Sequence, residues 1–159
     1  MDTKRFSHWI HWADRNKLEG MRFPGVYAIA ISTNDLSNKS FSWIQQIVYI
    51  GMTNSRSGLK GRLKQFDNTI IIGKTGHGGA DRLRHDYPQN KDLLPLLYVA
   101  IVPFDCDVTS ISTANLITMG DVAKAEYECF AQFAKAYECL PKYNNKKDSP
   151  KYSKTKGVQ

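Results

Sequence analysis

What this sequence lacks bounds it before any motif is read. No apolar run in its 159 residues is long enough to cross a bilayer. Met1-Asp2-Thr3-Lys4-Arg5 is not followed by the core of a signal peptide, so a cytoplasmic location is expected. Cysteine is scarce: Cys106, Cys129 and Cys139 are odd in number and widely spaced. That excludes a disulfide framework and a Cys-x-x-Cys pair, and points to idle thiols in a reducing compartment. His8 and His11 stand three apart, but no further His or Cys cluster completes a metal set, so both read as surface or packing residues. Acidic residues are in deficit, 15 Asp and Glu against 22 Lys and Arg, leaving a net charge of +7. That surplus favours a polyanionic partner. No internal repeat is present.

What is present reads as one domain with a proper core. Phe6, Trp9, Ile10 and Ala13 recur at helical spacing and predict an amphipathic helix over residues 5–18, within an N-terminal helical extension spanning 1–23. Pro24-Gly25 marks a turn, and Val26 to Ile31 reads as a buried strand. The polar segment Ser32–Ser40 is a loop, and Phe41 to Gly51 returns as a second, antiparallel strand. A basic helical segment carrying Leu59, Leu63 and Phe66 follows. The glycine-dense stretch from Gly73 to Asp81 reads as a flexible loop, with Arg82, Arg84 and His85 on a short helix after it. Leu96 to Val102 gives a third strand, ended by Pro103. Gly120 is expected to break a helix over 112–119 from a longer one over Val122 to Cys139, N-capped by Asp121. The lysine-rich tail, 146–159, has no apolar periodicity and is expected to be disordered.

Gly73-Lys74-Thr75 looks like the end of an ATPase phosphate loop, but that pattern needs glycine where Asn68 stands. The intervening Thr69-Ile70-Ile71-Ile72 is bulky where bare backbone should wrap phosphate, so the ATPase reading is set aside.

Gly25-Val26-Tyr27, followed after a loop by Tyr49-Ile50-Gly51, resembles the two-part signature of the GIY-YIG nucleases. The family pattern continues with an arginine on the next helix, a glutamate on a later helix and an asparagine beyond it; this chain offers Arg62, Glu126 and Asn144 in that order. The resemblance spans residues 24–145. It implies an α+β fold with a small three-stranded antiparallel sheet flanked by helices, and cleavage of DNA phosphodiesters with one Mg²⁺ or Mn²⁺ ion. It further implies that Tyr27 and Tyr49 handle water and phosphate, that Arg62 stabilises charge on the phosphate, that Glu126 holds the metal, and that Asn144 supports the site by hydrogen bonds. Small single-domain members include restriction enzymes, and restriction of a palindromic target would call for a homodimer.

Each residue also has a plainer reading. A tyrosine in an apolar strand is usually core packing. Arg62 competes with Arg56; it is preferred because it lies between Leu59, Leu63 and Phe66 on a helix that must dock on the sheet. Glu126 competes with Glu128, but only Glu126 shares the apolar face of Val122 and Phe130, where a carboxylate needs a cation, whether a metal or a salt-bridging side chain. Asn144 and Asn145 both fit a turn after Pro141. The chain departs from the family at Phe66, where many members carry a histidine that assists proton transfer. Lys60, Lys74 or His77 could take that task. Arg82, Arg84 and His85 are the candidate DNA contacts. A non-catalytic nucleic-acid-binding module of the same fold is the alternative.

Overall fold

The structure, a computed structural model, describes residues 1–155. It is α+β, built on a four-stranded antiparallel sheet in the order β1-β4-β2-β3: β1 is Ile10–His11, β2 Gly25–Ile31, β3 Ile47–Thr53 and β4 Leu97–Pro103. The helices are α1 (Gly58–Ile72), α2 (Gly78–Asp86), a single turn α3 (Asn90–Leu93), α4 (Thr113–Tyr137) and a single turn α5 (Tyr152–Thr155). Among the described residues no helix is long and apolar enough to cross a membrane.

β2 is the centre of the sheet, paired with β3 on one side and β4 on the other. Successive side chains of a strand point to opposite faces. Val26, Ala28 and Ala30 therefore meet the apolar stripe of α4, formed by Val122, Ala125, Cys129 and Phe133. Tyr27 and Ile29 point the other way, into a second core with Leu59, Leu63 and Phe66 of α1 and Leu83 of α2. Because helices cover both faces, β2 is an unbroken apolar run rather than an alternating one.

The fourth strand is an addition to the expected three. The helix expected over residues 5–18 does not form. Short 3₁₀ turns at Thr3–Arg5 and Trp12–Lys17 flank β1, which pairs with β4 through Ile10 opposite Val99 and His11 opposite Tyr98. The aromatics that mimicked a helical stripe part company: Phe6 and Trp9 enter the α4 core, Trp12 the α1 core. Residues 41–46 precede β3 rather than belonging to it. Gly120 does not break a helix. α4 is continuous from its Ser112 cap, and Asp121 lies in its interior. One glycine in a helix costs only about 1 kcal/mol, which 25 residues of otherwise good helix absorb. Nor are the described residues of the tail detached. Ser149 is buried, and Ser153 donates from its backbone and its hydroxyl to the Asp81 carboxylate of α2. Positions 156–159 lie outside the described residues.

The start of α1 is fixed against the N-terminal segment. The amides of Leu59 and Lys60, which a helix cannot satisfy itself, donate to the carbonyls of Phe23 and Met21. That close approach requires glycine at 58, with φ +59°, where a Cβ would fall 2.3 Å from the Arg22 carbonyl oxygen. Gly58→Ala should therefore lower stability by at least about 1–3 kcal/mol, read as a fall in the urea midpoint at unchanged m-value.

Candidate active site

The two strand tyrosines share one face. Tyr27 is opposite Gly51 in the β2–β3 register and Tyr49 opposite Ile29, which places the phenols on a diagonal with ring centroids 6.0 Å apart. Bare backbone makes the room. A Cβ on Gly51 would lie 2.5 Å from the Tyr27 hydroxyl, and one on Gly79 would lie 2.3 Å from the Tyr49 ring.

His77 completes the group, and its place was the least legible in the sequence. It is fully buried, and its ring packs edge-on against Phe66 at 4.8 Å and Tyr49 at 5.4 Å. Its Nδ1 caps α2 by accepting the Ala80 N–H at 3.2 Å, which leaves the proton on Nε2. Nε2–H then donates to the Tyr27 oxygen at 2.7 Å. Phe66 thus forms a wall of the pocket that seats a histidine from another element. The Tyr27 hydroxyl hydrogen is free to turn to Tyr49, whose phenolate it favours. The stretch 73–81, expected as a flexible loop, is instead a short turn running into α2 at Gly78, with this imidazole as its anchor.

Arg62 is the charge common to the group: it acts on Tyr27, Tyr49, His77 and Glu126. Its Nη1 donates to Gln65 Oε1 at 2.6 Å, while its Nε is buried with no acceptor. Burial pushes the Tyr27 phenol well above its usual range, the neighbouring Tyr49 adding to the rise and Arg62 opposing it. Tyr49 is raised as well, by burial first and further by the Glu126 carboxylate; Arg62, the Tyr27 hydroxyl and Arg82 pull it back. Tyr49 is therefore the phenol better supplied with groups that favour its ionised form. The His77 imidazole is held down at about 3, mainly by burial and then by Arg62.

Glu126 comes from the opposite layer. It lies at the margin of the buried stripe of α4, half-buried, and reaches the outer edge of β3. There the Met52 N–H stabilises its carboxylate, with help from Lys146. Burial nonetheless raises its pKa, so the carboxylate is an incompletely compensated anion. Glu128 is engaged elsewhere, with Lys124 and the Met1 amine. Two residues along the same edge, Asn144 spends both ends of its amide on Ile50: Oδ1 accepts the N–H at 2.8 Å and Nδ2 donates to the carbonyl at 2.7 Å. Buried Tyr143, bonded to Asp86 of α2, holds the Lys142–Asn144 turn in place. Arg62, Glu126 and Asn144 therefore reach β3 from two layers rather than over a single sheet face, and Tyr27 stays behind Tyr49 on the central strand.

A cleft of about 600 Å³ opens beside them, lined by Met52, Asn54, Ser55, Arg62 and Gln65 among others. A separate hollow of about 630 Å³, between Trp12, Ile71 and Pro95, shares no residue with it. The remaining sequence candidates scatter. Lys60 is exposed, and Lys74 lines another groove with Lys64 and Thr75. Arg82 acts on Tyr49, but Arg84 stacks on Tyr152 at 4.1 Å and His85 lies against Asp86. Sequence reasoning missed Lys146, Gln65 and the space-making role of Gly79; none carries a signal of its own in the chain.

Among the described residues no group of three or more His, Cys, Asp or Glu side chains could hold a metal. A single half-buried carboxylate suits Mg²⁺ nonetheless, because that ion keeps several waters and takes its other ligands from substrate phosphates. No protein-family model matches the chain, no curated protein matches it, and no solved structure matches it.

The buried imidazole sets a pH dependence. An unfolded histidine titrates near 6.5. Between that value and about 3 the unfolded chain binds a proton at His77 that the native protein does not. Native stability should fall as pH drops through this window. His77→Asn, which can still cap α2, should show a slope shallower by up to about 1.4 kcal/mol per pH unit. Urea denaturation of both proteins at several pH values from 7 to 4 measures it.

Proposed function

We propose that this protein is a divalent-metal-dependent endonuclease of the GIY-YIG kind that hydrolyses phosphodiester bonds of DNA. The observation that carries the reading is the gathering of Tyr49, Arg62 and Glu126 about the outer strand β3, with Tyr27 behind Tyr49 on the central strand and Asn144 holding the intervening Ile50. A core role for the tyrosines does not account for a guanidinium and an incompletely compensated carboxylate brought beside them. The net charge of +7 is consistent with a polyanionic substrate.

In this reading the cleft takes the scissile phosphate. Arg62, its fork aimed by Gln65, neutralises the charge that grows on the phosphate oxygens. Tyr49 orients the attacking water and is the phenol better placed to accept its proton, since Arg62, Arg82 and the Tyr27 hydroxyl favour its phenolate against burial and the Glu126 carboxylate. His77 and Tyr27 are positioning residues, fixing the direction of the hydrogen-bond chain. Water oxygen bonds to phosphorus, and the bond to the leaving sugar oxygen breaks. Glu126 would hold the Mg²⁺ or Mn²⁺ ion, which when bound supplies Lewis-acid charge stabilisation to the phosphate. Asn144 acts through the backbone of β3.

Both phenols are raised by burial, and that favours a second reading: a nucleic-acid-binding module of the same fold without useful catalysis. A plasmid-nicking assay in Mg²⁺ and Mn²⁺ decides between them. Metal-dependent nicking is expected, and it should fall at least ~100-fold in Arg62→Ala and Glu126→Ala while DNA binding largely persists. Binding without any metal-dependent product would favour the module. Undiminished cutting by both variants would remove this site from the reaction.

A further inference from the structure

Arg82 lies on α2, one turn beyond its start. Its Nε is enclosed without an acceptor, and among the described residues its side chain has no hydrogen bond or carboxylate partner. The same is true of the Lys151 ammonium, which the C-terminal segment brings up beside it. These two cations converge over one glycine. A Cβ on Gly78 would lie 3.2 Å from Arg82 Nη1 and 3.7 Å from Lys151 Nζ. The nearest acid in sequence, Asp81, is committed to the backbone and hydroxyl of Ser153. That contact ties down the tail two residues beyond Lys151, so the carboxylate places the second cation instead of neutralising it. Two like charges gathered over bare backbone without a counter-ion repel one another until an anion lies between them.

The position says which anion. Gly79, next to Gly78, lies against the Tyr49 ring, which a Cβ there would meet at 2.3 Å. The point over Gly78 therefore borders the proposed reacting group, and the charge of Arg82 acts on that phenol. A nucleic-acid strand carries a phosphate at every step, and phosphate contacts fix its register. We propose that Arg82 and Lys151, over Gly78, hold a second phosphodiester of the bound strand, adjacent to the one that reacts. The seat rests on the nuclease reading for its neighbour but not for its existence. It makes the C-terminal segment part of the nucleic-acid channel. It also separates Arg82 from Arg84, whose guanidinium is occupied by the Tyr152 ring.

The test is binding, in metal-free buffer, so that it stands apart from catalysis. Fluorescence anisotropy of a labelled duplex over a KCl series should show Lys151→Ala and Arg82→Ala each weakening binding about equally for unrelated sequences. Each should flatten the plot of log K against log salt by about 0.9. Lys124→Ala, on the outer side of α4, should change neither. In ¹⁵N-labelled protein, the Gly78 amide should shift more with a thymidine trinucleotide, which has two phosphodiesters, than with the dinucleotide. That difference should vanish in Lys151→Ala. Unchanged affinity and slope in both variants would overturn the proposal. So would inorganic phosphate shifting Gly78 as strongly as the trinucleotide, which would mark a pocket for a free anion. If no cleavage is found with Mg²⁺ or Mn²⁺ but the slopes change as stated, the phosphate seat stands and the nuclease reading falls.

Discussion

The guanidinium of Arg62 is the constraint on which the rest of the site depends. Tyr27 and His77 are fully buried in the α1 core, Tyr49 is partly buried against it, and a carboxylate is half-buried at its rim. Burial pushes every one of them towards its neutral form. Arg62 is the one charge that acts on all four, favouring the ionised phenols and carboxylate and disfavouring an ionised imidazole. The imidazole can therefore remain a neutral donor of fixed direction, while the rise that burial imposes on the phenols and the carboxylate is opposed by one guanidinium.

How the arginine gets there is a matter of layers. α1 lies over one face of the sheet and α4 over the other, so no single face could collect Arg62 and Glu126. β3, the outermost strand on that side, is the one place where both layers reach the same backbone. Its outward N–H and C=O groups would otherwise be an open edge, prone to pairing with other chains. Here the edge is covered by side chains, with Asn144 on Ile50 and Glu126 on Met52. The residues that close the sheet are thus also residues of the candidate site, so the site's geometry inherits the rigidity of the sheet.

Much of this was legible in the chain. β2, β3 and β4 follow from apolar runs between turn residues, and the tyrosine diagonal follows from period-2 alternation once the register is known. The choice of Glu126 over Glu128 followed from helical periodicity, and that of Arg62 over Arg56 from a position between docking leucines. What could not be read had non-local causes. β1 is two residues whose conformation is imposed by pairing with a strand nearly ninety positions away. Gly120 reads as a breaker by local propensity, yet the length of α4 overrides it. His77 reads as incidental among glycines because its burial depends on Phe66, Tyr27 and Tyr49, none of which neighbours it in sequence. The tail reads as disordered from composition; its attachment depends on one buried aspartate on α2.

The amide of Asn144 reaches back 94 positions to the strand it covers. During synthesis the β2–β3 hairpin can form as soon as residue 53 leaves the ribosome, but its outer border then stays bare until nearly a hundred further residues have emerged. For that interval the nascent protein carries an uncovered apolar strand, the form most open to wrong pairing. The residue that seals this border is therefore made long after the strand it covers, and a ribosome that stalls before the asparagine releases a hairpin without that shield on its flank.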